Sequence, residues 1–178
     1  MGSLLKLTGV TKQFQGLLAV DHVNLDMKEH TIHSLIGPNG AGKTTTVNLI
    51  TGVLSKTEGT VEFDGKDISN LPTHKIARCG IGRTFQNIKV FPTMTLLENI
   101  MVGGHEITKM GIIRGVFDFK GQKAEEQMVR EKAEQILDRL GMYHLKDEYM
   151  KNLPYGRQKI SEIGRAMMTD PKLILLDE

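Results

Sequence analysis

Cysteine is nearly absent: Cys79 is the only one in 178 residues. That excludes an internal disulfide framework and fits a reducing compartment, with Cys79 itself expected as a small, partly buried hydrophobe. Long apolar runs are missing too. No stretch approaches the roughly 18 consecutive apolar residues of a membrane span, and no secretory signal opens the chain. The start MGSLLK resembles a myristoylation signal only as far as Lys6, which stands where Ser or Thr is required. The six histidines are scattered without metal-ligand spacing, so a zinc site is not expected. Nor does either charge dominate: 23 Lys and Arg against 21 Asp and Glu give a net charge of +2. The basic residues form no stripe of the kind that binds nucleic acid. What remains, 39% hydrophobic and 25% charged, suits one domain of ordinary size.

The first third alternates as strands do, in LLKLTGV at 4–10, VDHVNLDM at 20–27 and TIHSLI at 31–36. KTTTVNLITG then reads as a helix stopped by Gly52, GTVEFDG at 59–65 as a strand closed by an Asp-Gly turn, and PTHKIARCG as a short helix. IGRTFQ predicts another strand and TLLENIMVG another helix. Residues 103–121 hold five glycines without a period and predict a surface excursion. From Gln122 to Leu140 the pattern is helical, with Val129, Ala133, Ile136, Leu137 and Leu140 on one face. PYGRQKISEIGRAMM predicts a second helix, and LILL a fully buried final strand. Strands alternating with helices, after a more purely β region, argue an α/β fold.

One stretch carries specific chemistry. In GPNGAGKTT, Gly37, Gly42, Lys43 and Thr44 match the phosphate-binding loop G-x-x-x-x-G-K-[ST]. A polyphosphate must be wrapped by backbone N–H groups, so side chains have to stay clear, and Gly37, Gly40 and Gly42 allow this. Pro38, Asn39, Ala41 and Thr45 complete the candidate nucleotide-binding set. The helix opening at Lys43 aims its positive end at the phosphates. Lys43 adds a point charge at the β and γ groups, and the Thr44 hydroxyl is placed to ligate Mg²⁺. The acidic pair after LILL fits the same site. Asp177 would hold Mg²⁺, directly or through water, and Glu178 would polarise an attacking water as general base.

With these motifs in order, the chain resembles the ATP-binding subunits of ABC transporters from about residue 4 to its last residue. The resemblance implies a P-loop NTPase core of the ABC type with an N-terminal antiparallel β subdomain. A helical subdomain at about 95–168 would be inserted in it, all within a single domain spanning 1–178. Phe14 looks like the aromatic that stacks on adenine; the alternative is a core phenylalanine. Gln86, in RTFQN, matches the glutamine that touches Mg²⁺ and the attacking water and relays nucleotide state toward the membrane subunits. NLPYGRQ aligns with the signature motif that closes over ATP held by the opposite subunit. There Leu153, Gly156 and Gln158 fit the usual L-S-G-G-Q, Pro154 and Tyr155 depart from it, and Arg157 lies between. Pro154 offers no hydroxyl to a γ-phosphate, but the docking mode can persist through N–H groups and the helix dipole.

LPYG, together with GIGRTFQNIKVFPTMTLLENIMVGG, is similar to the branched-chain amino acid importers. The resemblance implies an ATPase binding ATP and Mg²⁺, peripheral on the cytoplasmic face of the membrane. Its partners would be a second ATP-binding subunit, transmembrane permeases and, indirectly, a solute-binding protein, and no nucleic acid. The alternative is a soluble ABC-type ATPase acting on nucleic acid or the ribosome. The family pattern continues past the glutamate to a switch histidine, so the chain reads as a truncated subunit. By itself it is expected to bind nucleotide without turning over.

Overall fold

The computed structural model describes residues 2–84, 89–106 and 119–177. The fold is α/β, and it divides into two compact units, Met1–Ile81 with Asp177, and Gly82–Leu176. Each is described in turn.

In the first unit the alternation at the start of the chain becomes sheet. Strands β1 (Ser3–Phe14) and β2 (Leu17–Lys28) pair antiparallel, with Leu5 opposite Met27 and Leu7 opposite Leu25. On its other edge β1 pairs antiparallel with β3 (Glu58–Phe63), matching Leu5 to Phe63 and Leu7 to Val61. A turn at Asp64 and Gly65, both at positive φ, leads to β4 (Lys66–Asp67). The order β2-β1-β3-β4 gives the antiparallel β subdomain that the resemblance implied. Period-two side chains put Leu5, Leu7, Val61 and Phe63 inside, and an irregularity in β1 between Leu7 and Val10 turns Val10 inward as well, each at most 2% exposed. Helix α1 (Lys43–Ile50) contributes Leu49 and Ile50, and α2 (Thr73–Arg78) contributes Ile76.

One expected strand does not form. Residues 31–36 have no regular structure, and Ile32 and Ile36 are 98% and 87% exposed. Alternation marks a sequence able to be a strand, but a strand exists only through backbone hydrogen bonds to a neighbour. Among the described residues none pairs with this stretch.

In the second unit, β5 (Ile81–Arg83) pairs with β6 (Leu173–Leu175), and the Thr84 N–H donates to the Leu175 carbonyl at 3.0 Å. β5 is shorter than the IGRTFQ strand expected, whose last two residues lie outside the described residues. β6 is half-buried rather than fully buried, and Leu176 is exposed, since an apolar run is buried only where other elements cover the faces of its sheet. Three helices make the core: α3 (Leu96–Met101), α4 (Phe119–Arg139) and α5 (Tyr155–Met167). Helix α3 opens on a capping box in which the Glu98 N–H donates to Thr95 Oγ1 and the Thr95 N–H to Glu98 Oε2. Helix α4 begins three residues before the expected Gln122. It buries Val129, Ala133, Ile136 and Leu137, the predicted face, against Leu96, Leu97, Ile100, Met142, Met150 and Met168. Leu140, expected on the same face, is half-buried.

The expected excursion from residue 103 is not superficial at its start; residues 107–118 lie outside the described ones. Residues Val102–Glu106 form a 3-10 turn, and Gly104 is buried. A Cβ on Gly103 would stand 2.2 Å from the Arg165 carbonyl oxygen. Gly103→Ala is therefore expected to cost about 1–3 kcal/mol through overpacking. The urea midpoint should fall with an unchanged slope; an unmoved midpoint would refute this packing.

Candidate functional site

The phosphate-binding loop leaves the unstructured stretch at 31–36 and curls into α1. The Ala41 N–H donates to the Pro38 carbonyl at 3.2 Å, closing a turn, and Gly40 and Gly42 take φ of 84° and 80°. Gly42 is needed for a second reason: a Cβ there would lie 2.5 Å from the Ala19 carbonyl oxygen of β2. The loop is thus seated against the sheet by a residue without a side chain. Gly42 also caps α1, whose first i to i−4 bond runs from the Thr46 N–H to the Gly42 carbonyl at 2.8 Å. The N–H groups of Lys43, Thr44 and Thr45 precede that bond, so the first turn presents them to a ligand.

Lys43 curls back over its own loop. Its Nζ donates to the carbonyls of Gly37 at 2.8 Å and Pro38 at 3.0 Å. This encloses the space a phosphate would take with a cation on one side and amides on the other. Gly37, Pro38, Asn39, Gly40, Ala41 and Thr44 are exposed, while Gly42, Lys43 and Thr45 are half-buried.

Asp177 comes to this loop from 133 residues away. Its carboxyl is buried, 7% exposed, and the Thr44 hydroxyl faces its Oδ1 at 3.4 Å. That length is long for an O–H to carboxylate bond. Two hard oxygens side by side at the positive end of a helix suit Mg²⁺, which takes one or two protein oxygens and completes its shell with phosphate and water. The donor set therefore fits the metal the motif implied. Gln86 and Glu178, expected beside it, lie outside the described residues.

Phe14 ends β1 and is 41% exposed, which removes the alternative of a core phenylalanine; Phe63 fills that role at 1%. Lys12 Nζ stands 4.9 Å from the Phe14 ring centroid and is itself anchored on the Ser55 carbonyl. One ring face carries a cation–π contact. Lys12 escaped the sequence reading, and its i−2 spacing on a strand, which sets both side chains on one face, was the available signal.

In the second unit, the signature-like residues form the start of α5. Leu153 is buried, Pro154 caps the helix without a side-chain hydrogen bond, and Tyr155 and Gly156 are exposed. Arg157 is half-buried. Gln158 turns inward, its amide donating to the carbonyls of Met150 at 3.1 Å and Leu153 at 2.9 Å. Its amide nitrogen thus braces the turn before the helix, while the exposed end is made by Pro154, Tyr155 and Gly156.

The sequence reading also missed Asn99. Its Oδ1 accepts the Phe91 N–H at 2.8 Å, and its Nδ2 donates to the carbonyls of Phe91 and Thr95. This buried amide fixes the loop 91–95. The Met150 N–H donates to the Met94 carbonyl on the same loop. Phe91 and Met94 project from this loop 44% and 37% exposed, and Tyr149, whose backbone bridges to Thr95, adds a third apolar side chain 49% exposed.

The profile of the ABC transporter family matches residues 20–178. The high-affinity branched-chain amino acid transport ATP-binding protein BraF of Pseudomonas aeruginosa is 41% identical, over 98% of this chain and 69% of its own length. Among solved structures, the ADP conformation of an ATP-binding cassette of an ABC transporter superposes with a TM-score of 0.83 at 38% identity, covering 100% of this chain and 69% of that one. A dimeric bacterial ABC transporter cassette superposes with a TM-score of 0.77 at 27% identity, over 98% of this chain and 73% of that one.

Proposed function

The chain belongs to the ABC transporter family, as one of its ATPases, and from that premise we propose that it powers an importer of branched-chain amino acids or related amides. The observation that carries the ATPase part is the meeting of Thr44 and Asp177 beside the loop of Lys43. The solute class rests on the similarity to BraF and on the LPYG signature.

Nucleotide enters where Lys43 now holds two carbonyls. Its ammonium exchanges the Gly37 and Pro38 oxygens for phosphate oxygens, a trade of neutral acceptors for anionic ones. The amides of 42–45 take further phosphate oxygens, and Phe14 offers its ring to the adenine. Thr44 and Asp177 would hold Mg²⁺, which when bound neutralises phosphate charge and orients the β and γ groups. Gln86 and Glu178 are proposed to orient and deprotonate the attacking water. Two copies, or this chain and a related subunit, pair so that the exposed end of α5 in one closes over the nucleotide of the other. The γ-phosphate favours the closed pair and its loss releases it.

No helix among the described residues is long and apolar enough to cross a membrane. In the proposed importer the membrane passage belongs to permease partners, and the similarity to BraF, an ATP-binding protein of such a transport system, supports a peripheral place for this subunit on the cytoplasmic face. The patch of Phe91, Met94 and Tyr149 supports their docking, because it is apolar, exposed and braced by Asn99. Deleting the gene is expected to abolish uptake of radiolabelled leucine, isoleucine and valine. Wild-type protein should restore it and Lys43→Ala should not. Unchanged uptake after deletion would reject the solute assignment.

A further inference from the structure

Helix α4 and the end of α5 border a cavity that the nucleotide chemistry does not use. It measures about 290 Å³ and lies wholly within the second unit. Ligand cavities span roughly 300–1,000 Å³, so this one suits a small metabolite better than a nucleotide or a peptide. The last two turns of α4 supply Lys132, Ile136 and Arg139. Met167 at the end of α5, Pro171 and Ile174 of β6 supply the rest of its apolar lining. Ile136 is 4% exposed, whereas Met167 and Ile174 are half-buried and keep aliphatic surface toward the cavity.

Charges of both signs stand at its rim. Asp170 takes φ of 49°, a left-handed turn that Asp tolerates, and its N–H donates to the Met167 carbonyl at 3.1 Å. The chain thus reverses directly after α5 and carries the Asp170 carboxylate to α4, where Oδ2 accepts from Lys132 Nζ. That side chain stays 81% exposed, and Oδ1 has no partner among the described residues. Arg139, two turns past Lys132 on the same face, is exposed and forms no ion pair among the described residues.

This lining narrows the ligand. A plain anion would gain Arg139 and be repelled by Asp170, and a plain cation would meet the reverse. A sugar needs several neutral hydrogen-bonding groups, and Gln135 is the one neutral amide in the lining. A wholly apolar molecule would strip water from the charges and give nothing in return. We infer that the cavity is a binding site for a free α-amino acid with an aliphatic side chain. The Arg139 fork takes its carboxylate, Asp170 its ammonium, and the tail lies over Ile136, Met167 and Ile174. This ligand class coincides with the solute class proposed above. The coincidence rests on that importer reading, while the site rests on the cavity. In such an importer the ATPase itself carries a seat for the delivered solute.

The test is a calorimetric titration of leucine into the whole subunit, purified without permeases so that no membrane solute path contributes. Saturable binding with a Kd of roughly 0.1–1 mM is expected for so small a ligand. Isocaproate lacks the ammonium, isoamylamine the carboxylate and glycine the tail, and each should bind at least about tenfold more weakly. Arg139→Gln and Asp170→Asn should each weaken leucine at least about tenfold. Asn keeps the left-handed turn at 170. Gln135→Trp, at an exposed position on α4, should fill the cavity and abolish binding, which covers the case in which a charge variant fails to fold. Folded variants should keep Mg·ATP affinity within about twofold of wild type, since none touches residues 37–45. A wild-type subunit that binds Mg·ATP but not leucine would overturn the proposal. So would glycine binding as tightly as leucine, or undiminished leucine affinity in the folded variants. Leucine binding here, in a subunit whose deletion leaves leucine uptake unchanged, would reject the importer reading and leave the site standing.

Discussion

Lys43→Ala reduces Mg·ATP affinity at least about a hundredfold in a calorimetric titration, a loss of about 2.7 kcal/mol. The wild-type ammonium is held over the loop by the Gly37 and Pro38 carbonyls, pointed at the space a phosphate would take. Hydrogen bonds to a charged group contribute roughly 1.5–3 kcal/mol each, and one ammonium can make more than one to a polyphosphate. Its removal also frees two carbonyl oxygens at the mouth of the loop, and those repel an anion that the lysine previously screened. Stability should change little, since the loop side chains are exposed or half-buried and the local fold rests on Gly42, Thr46 and Leu49. Retained affinity in a folded variant would refute the loop assignment.

In the full-length parent subunit, Glu178→Gln leaves nucleotide binding intact and lowers turnover by roughly 10²–10⁴-fold, the usual contribution of a positioned general base. The residue follows Asp177, whose buried carboxyl faces Thr44, and it is the general base proposed above for the attacking water. The amide is nearly isosteric and cannot take a proton. Bound ATP therefore persists, and the closed pair it favours should accumulate as a dimer in size-exclusion chromatography with Mg·ATP. A solved dimeric cassette at 27% identity makes that assembly a fold-level expectation. Undiminished single-turnover rates in Glu178→Gln would move the base elsewhere.

The parts of the site that were legible in the sequence are those whose chemistry is local. Gly37 to Thr45 form a contiguous pattern because adjacent amides must converge on one ligand, and the structure curls them as the pattern requires. Asp177 was legible by pairing: an acid after an apolar run means little alone and much beside a phosphate loop. The helix faces of α4 and the sheet alternation of β1 were legible for the same reason, since periodicity reports what one element buries. What depends on a neighbour was not legible. Residues 31–36 have a strand's alternation and no strand, because alternation carries no information about a pairing partner. Phe14 could have been core or surface until Phe63 was found filling the interior. The bonds from Lys89 to Glu162 and Arg165 cross 73 and 76 residues, and nothing around Lys89 in the sequence announces them.

As the adenine platform proposed above, the Phe14 ring would have a consequence for which nucleotides the protein accepts. A platform made of one exposed aromatic face, with the Lys12 ammonium over the ring, responds to flatness and electron density. It does not interrogate the edge of a base, where adenine and guanine differ in their donors and acceptors. On that proposal, fidelity at this cassette would reside in the triphosphate, and its fuel would be set by which purine triphosphate the cell keeps most abundant.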